Sequence, residues 1–134
     1  MAQTLLQAHD ALYAALNAML EGDSAPLHEV WSSGADITFA GPFGGFQAGR
    51  ELVVADFDRV ASMRLGGSIT VTGVHAVEGV DMGITTCTEH GEGHVIDGKP
   101  VSLTHRVTNV FRKESAGWKL IHHHTDPSGV TSPA

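Results

Sequence analysis

One cysteine, Cys87, stands among 134 residues, so the chain cannot close a disulfide on itself and carries no paired-cysteine metal or redox motif. That usage suits a reducing compartment, and a cytoplasmic location is the expectation. Cations are scarce too. Eight Lys and Arg, scattered rather than clustered, face fifteen Asp and Glu, leaving a formal charge of −7 with histidines neutral. Such a surface repels a phosphate backbone, so nucleic acid is not an expected partner. No segment approaches the ~18 apolar residues of a membrane-spanning helix. The opening MAQTLLQAHDALYAALNAML has no basic start and is broken by His9, Asp10 and Asn17, unlike a secretory leader. A membrane is therefore not an expected partner either.

What is present describes one ordinary domain. A chain of this length fits one core of ~100–200 residues and buries roughly two-thirds of its unfolded surface without staples. The domain is expected to span 1–134, with about 127–134 (PSGVTSPA) as a loose tail. Nine histidines are the unusual feature: protonating all of them would more than cancel the −7, which ties solubility to pH between about 5 and 7.

Leu5, Ala8, Leu12, Ala15, Leu16, Met19 and Leu20 recur at helical spacing, and Gly22 is placed to end that helix. Asp23 or Ser24 can cap a short second helix with Pro26 in its first turn. ADITFAG reads as a short strand, and GPFGGFQAG as a loop without regular structure. A third helix is expected from about Gly49 to Met63, its stripe formed by Val53, Phe57, Val60 and Ala61. The second half changes to β-branched patterning. GSITVTGVHAV, VDMGITTCTEHGEGHVI, VSLTHRVTNVFRK and GWKLIHHHTD read as four strands joined by tight turns, the second bent at Gly91 and Gly93. Helices followed by an antiparallel meander form an α+β pattern, with the helices packed on one face of a curved sheet.

That order of elements resembles the nuclear transport factor 2-like superfamily, a cone-shaped α+β fold with three N-terminal helices on a curved, mainly antiparallel sheet. ADITFAGPFGGFQAGRELVVADFDRV resembles the superfamily's A-D-x-x-F, P-x-G and G-R-E passage. RVTNVFRKESAGWKLIHHHTDPSG resembles the closing strands of the SnoaL-like branch. It is also similar to the association domain of calcium/calmodulin-dependent protein kinase II, with Trp118, His122, His124 and Gly129 on the matching positions. Members include isomerases, cyclases, dehydratases and plain binding or assembly domains, so the resemblance implies a fold and leaves function to the site.

Ketosteroid isomerases of this fold place a general-base Asp immediately before the loop proline, where this chain has Gly41. Asp36 reads as a turn or capping residue, and the only tyrosine, Tyr13, lies on the first helix. Isomerase chemistry by that arrangement is not expected. A histidine base is the alternative, and His105 and His123 are the candidates. Strict alternation along GWKLIHHHTD puts Trp118, Leu120, His122, His124 and Asp126 on one face and Ile121, His123 and Thr125 on the other. The three histidines therefore cannot share one metal. His122 and His124 could do so only with a third ligand such as His105, and neither metal nor other cofactor is expected. The resemblance instead implies that Trp118, His122 and His124 form a homodimer interface, with His123 pointing into the cone.

Asn109 stands where the association domain directs an Arg into its pocket, and it reads as a polar group among apolar ones. With Phe39, Phe43, Phe46, Phe57 and Thr125 it completes the expected ligand contacts. Cys87, mid-strand and without an activating neighbour in sequence, reads as a buried inert thiol. The reading is a homodimeric domain that binds a small apolar or amphipathic molecule in a mostly apolar pocket. Its alternatives are an isomerase, cyclase or lyase using a pocket histidine as general base, and a non-catalytic oligomerisation module.

Overall fold

The computed structural model describes residues 3–128. The chain runs α1 (Leu5–Leu20), α2 (Ala25–Val30), β1 (Thr38–Ala40), β2 (Gln47–Ala48), α3 (Arg50–Ser62), β3 (Ser68–Glu78), β4 (Met82–Ile96), β5 (Lys99–Glu114) and β6 (Gly117–Pro127). The α+β order is as expected. β2 is an addition, formed inside the Gly-rich loop where Phe39 and Thr38 of β1 find antiparallel partners in Gln47 and Ala48. Of the expected loose tail, residues 129–134 lie outside the described residues. Pro127 closes β6, and the Ser128 N–H donates to the Thr104 carbonyl at 2.9 Å.

α1 starts on a capping box: the Thr4 hydroxyl accepts from the Gln7 N–H at 3.1 Å, and the Gln7 amide oxygen accepts from the Thr4 N–H at 2.9 Å. Its buried stripe holds Leu5, Leu12, Leu16 and Met19, but also His9 and Tyr13. Asn17 fastens the helix to the sheet by accepting from the Ile69 N–H at 2.8 Å and donating to the Ile69 carbonyl at 3.0 Å. α2 ends against Arg50, whose guanidinium donates to the carbonyls of His28, Trp31 and Ser32. The G-R-E passage thus carries a cap: its arginine satisfies helix-end carbonyls that have no partner within the helix. Asp36 pairs with Arg112 of β5 at 2.6 Å, so it ties a turn to the sheet. No helix among the described residues is long and apolar enough to cross a membrane.

The sheet order is β2-β1-β6-β5-β4-β3, antiparallel throughout except for the β1–β6 pair. Three irregularities bend it, between Thr72 and His75, between Gly91 and His94, and opposite Val110/Phe111. The last overturns the strict alternation expected along β6. His122 pairs with Val110 and Leu120 with Phe111, which leaves Ile121 as an extra, unpaired residue. Sidedness therefore resets: Trp118 and Leu120 are buried on the same side as His123 and Thr125, while His124 is exposed and His122 half-buried. Trp118, expected at a subunit interface, is only 4% exposed within a single chain and belongs to its core. His122 and His124 do lie on the outer face, as expected.

The inner face carries Thr85, Cys87, Glu89 and Gly91 from β4, His105, Val107 and Asn109 from β5, and His123 and Thr125 from β6. α1 and α3 lie over it. The apolar part of the core, around Trp31, Phe39, Phe57 and Phe111, fills one end of the cone.

Candidate functional site

A cavity of about 160 Å³ opens between α1, α3, the loop 41–45 and the inner face of the sheet. Its apolar walls are Leu16, Met19, Phe39, Phe57, Val60 and Ile69; Glu89 and His123 form its floor, and Gln47, Asp56 and Arg59 also line it. A side chain at Gly41 would meet the Phe39 ring at 2.5 Å, so the loop position before Pro42 has no room for a carboxylate unless that ring moves. The ring instead stacks on the His123 imidazole, 5.6 Å between centroids, and on Phe57 at 4.5 Å.

His123 is held from behind. Its Nδ1 faces the Asn109 amide oxygen at 2.5 Å, and the Asn109 amide nitrogen donates to the Thr85 hydroxyl at 3.2 Å. Thr85 in turn lies 2.9 Å from His9 Nδ1. An amide oxygen only accepts, so His123 Nδ1 carries the hydrogen and its Nε2 presents a lone pair to the cavity. The Thr85 hydroxyl, which accepts from Asn109, still has its own hydrogen available for His9 Nδ1. His9 Nε2 then has no partner among the described residues. Burial pushes the His123 pKa down to about 3, helped by the neighbouring histidines His122, His124, His105 and His9.

Glu89 faces this lone pair: its Oε2 is 3.8 Å from His123 Nε2 and accepts from the Tyr13 hydroxyl at 2.7 Å. Burial raises the Glu89 carboxyl above its usual range, only partly opposed by that hydrogen bond. The gap is too long for a direct hydrogen bond, and both groups are pushed toward their neutral forms. They face each other across a gap rather than forming a salt bridge. Tyr13 is raised by burial and by the adjacent Glu89. Cys87 touches Tyr13 at 3.4 Å, and burial raises its thiol as well, in keeping with an inert role.

The expected site residues divide. Phe39, Phe43, Phe57 and His123 line the cavity. Phe46 does not: it is 61% exposed, carried outward as the loop enters β2. Asn109 and Thr125 are buried behind the lining, Asn109 orienting His123 and Thr125 reaching the Ala40 carbonyl at 3.4 Å. His105 stands apart from His123, in a second, smaller cavity beyond Glu89. It points inward while His124 points out, so it cannot join His122 and His124 around one ion. Glu89 and Tyr13 escaped sequence reasoning. The inward alternation of β4 marks Glu89 as a buried carboxylate, and that was the available signal.

The SnoaL-like domain family matches residues 7–126 of the chain. Among solved structures, a Thiobacillus denitrificans protein provisionally called a calcium/calmodulin-dependent protein kinase type II association domain is 26% identical, with a TM-score of 0.77 over 96% of this chain and 98% of that one. A Streptomyces avermitilis protein of the NTF2-like family, provisionally called a dehydratase, is 29% identical, with a TM-score of 0.73 over 90% and 91%. A nuclear transport factor 2-like superfamily protein from Salmonella enterica shares the fold at 13% identity, with a TM-score of 0.75 over 98% of each chain. No curated protein matches in sequence.

Proposed function

The chain belongs to the SnoaL-like domain family, and on that premise we propose that it binds a small, mainly apolar molecule about one ring in size, with a polar group turned toward Glu89 and His123. The observation that carries this reading is the cavity: largely apolar walls, the buried pair Glu89 and His123, Gln47, Asp56 and Arg59 also on the lining, and a volume of about 160 Å³. An apolar cavity of about 150 Å³ is large enough to take up benzene. Cyclohexanone is a suitable probe, since its ring matches the apolar walls and its carbonyl is a polar group to turn toward Glu89 and His123. Its addition should shift backbone amide signals of Phe39, Ile69, Glu89 and His123, and Leu16→Trp, which fills the cavity, should abolish those shifts. Shifts that survive Leu16→Trp would place the probe elsewhere.

The 3.8 Å spacing of His123 Nε2 and Glu89 Oε2 favours a second reading, proton transfer within the bound molecule. Neutral His123 takes a proton from carbon next to a carbonyl while the Glu89 carboxyl protonates the carbonyl oxygen, and the reverse transfers restore both groups. Exchange of the α-hydrogens of cyclohexanone in heavy water, read by proton NMR, should be faster with the protein and fall at least tenfold in Glu89→Gln and in His123→Asn. Unchanged exchange in both variants would remove catalysis from the site while leaving binding intact.

We also infer a homodimer through the outer sheet face. A row of cross-strand partners there, Val77, Ile84, Val110 and His122, includes Val77 at 70% and Ile84 at 43% exposure. Sedimentation should give twice the chain mass, reduced to one by Ile84→Arg; a monomeric parent chain would refute it.

A further inference from the structure

Next to the main cavity lies a second one, a lobe of about 50 Å³, which shares Met19, Pro42, Phe43, Val60, Ile69 and Glu89 of its lining. Its far end is polar: His94 and His105, each at least 95% buried, turn toward it. His94 donates from Nδ1 to the Gly66 carbonyl at 2.7 Å, since a carbonyl only accepts, and in the neutral imidazole this leaves the lone pair on Nε2. Its Nε2 lies over Gly91, 2.4 Å from where a Cβ would stand, so the glycine makes room for the imidazole itself. Among the described residues the His105 ring has no hydrogen-bond partner at all, though it is only 5% exposed. A ring with no partner in the fold is free to pair with whatever occupies the lobe.

We propose that this lobe is a hydroxyl subsite: the ligand's ring occupies the main cavity, and a short arm passes Glu89 and places an alcohol or phenol O–H between His94 and His105. The lobe holds no Lys or Arg. Its polar groups are two imidazoles and one carboxyl, and burial holds the His105 imidazole below its ordinary pKa. A carboxylate or phosphate would find no fixed positive charge there. A hydroxyl fits, because it donates to His94 Nε2 and can accept from a ring N–H of His105. At about 50 Å³ the lobe has room for the end of an arm and not for a second ring. The proposal rests on the small-molecule reading of the main cavity and specifies the class of ligand: neutral, ring-sized and hydroxylated on a short side arm.

The test compares two probes that share a ring and a two-carbon arm, ethylbenzene and 2-phenylethanol. Binding is read by calorimetry, and the histidine side chains by nitrogen-15 NMR. The expected result is that both bind, the alcohol about three- to tenfold more tightly, with His94 and His105 ring signals shifting only for the alcohol. His105→Phe should erase the difference and leave ethylbenzene unaffected. Leu103→Phe, which fills the lobe without touching a hydrogen bond, should do the same if the histidine variant fails to fold. Equal affinities, or an alcohol preference that persists in Leu103→Phe, would overturn the hydroxyl subsite and leave the main cavity standing. If neither probe binds, the small-molecule reading falls and this proposal with it.

Discussion

His123 and Asn109 show how little sequence distance matters to the chemistry. They are Cα partners across β5 and β6, and one amide decides which imidazole nitrogen faces the cavity. Asn109 is fully buried and bonds at both ends, to His123 and to Thr85. Asn109→Leu should therefore strand two polar groups and cost about 1–3 kcal/mol of unfolding free energy, measured by urea titration. The same variant should release the His123 tautomer, so both ring nitrogens become protonated in turn in nitrogen-15 spectra. A stability change within 0.5 kcal/mol, with the Nδ1–H form retained, would deny Asn109 that role.

Among elements, the junction of α2 and α3 depends on one residue. Arg50 reaches three carbonyls around the end of α2, and its fork geometry matters as much as its charge. Arg50→Lys should lose about 1.5–3 kcal/mol in the same urea titration, close to the loss in Arg50→Ala, because a single ammonium cannot span the three acceptors. Full rescue by lysine would show that charge alone suffices. The helices and the meander were legible because burial imposes periods of 3.6 and 2 on the chain. The β6 face was legible only in part. Nothing in GWKLIHHHTD announces an extra residue at Ile121, since a bulge is set by pairing with the neighbouring strand. One unseen residue was enough to misplace Trp118 while leaving His122, His123 and His124 on their expected sides. Phe46 was misread because β2 turns it outward. Glu89 was missed because its meaning depends on Tyr13 and His123, which approach it from other elements.

For the whole molecule, the histidines set the response to acid. Burial lowers His9, His105, His122 and His123 in the fold, whereas the unfolded chain takes up protons near 6.5. Between 6.5 and each folded value the unfolded state binds the extra proton, so stability falls as pH falls. For His123 that window extends down to about 3. Each group still neutral in the fold and charged outside it contributes a slope of about 1.4 kcal/mol per pH unit. Glu89 acts in the opposite sense: its raised carboxyl favours the fold at acid pH and loses that contribution as pH rises from 4.5 through its folded value. It is one group against four. The melting temperature should drop between pH 7 and pH 5, and less steeply in His123→Asn than in the parent. A melting temperature that is level or rises on acidification would mean these imidazoles are not buried neutral.

The central claim is that the cone is a small-molecule pocket floored by a neutral imidazole facing Glu89. Long-range nitrogen-15 spectra of His123, recorded from pH 7 to 5 with and without cyclohexanone, test it most directly. His123 should show a protonated Nδ1 and a bare Nε2 across the whole range, with the Nε2 signal moving when cyclohexanone is added. Titration of His123 near 6.5, or a signal indifferent to the ketone, would contradict it.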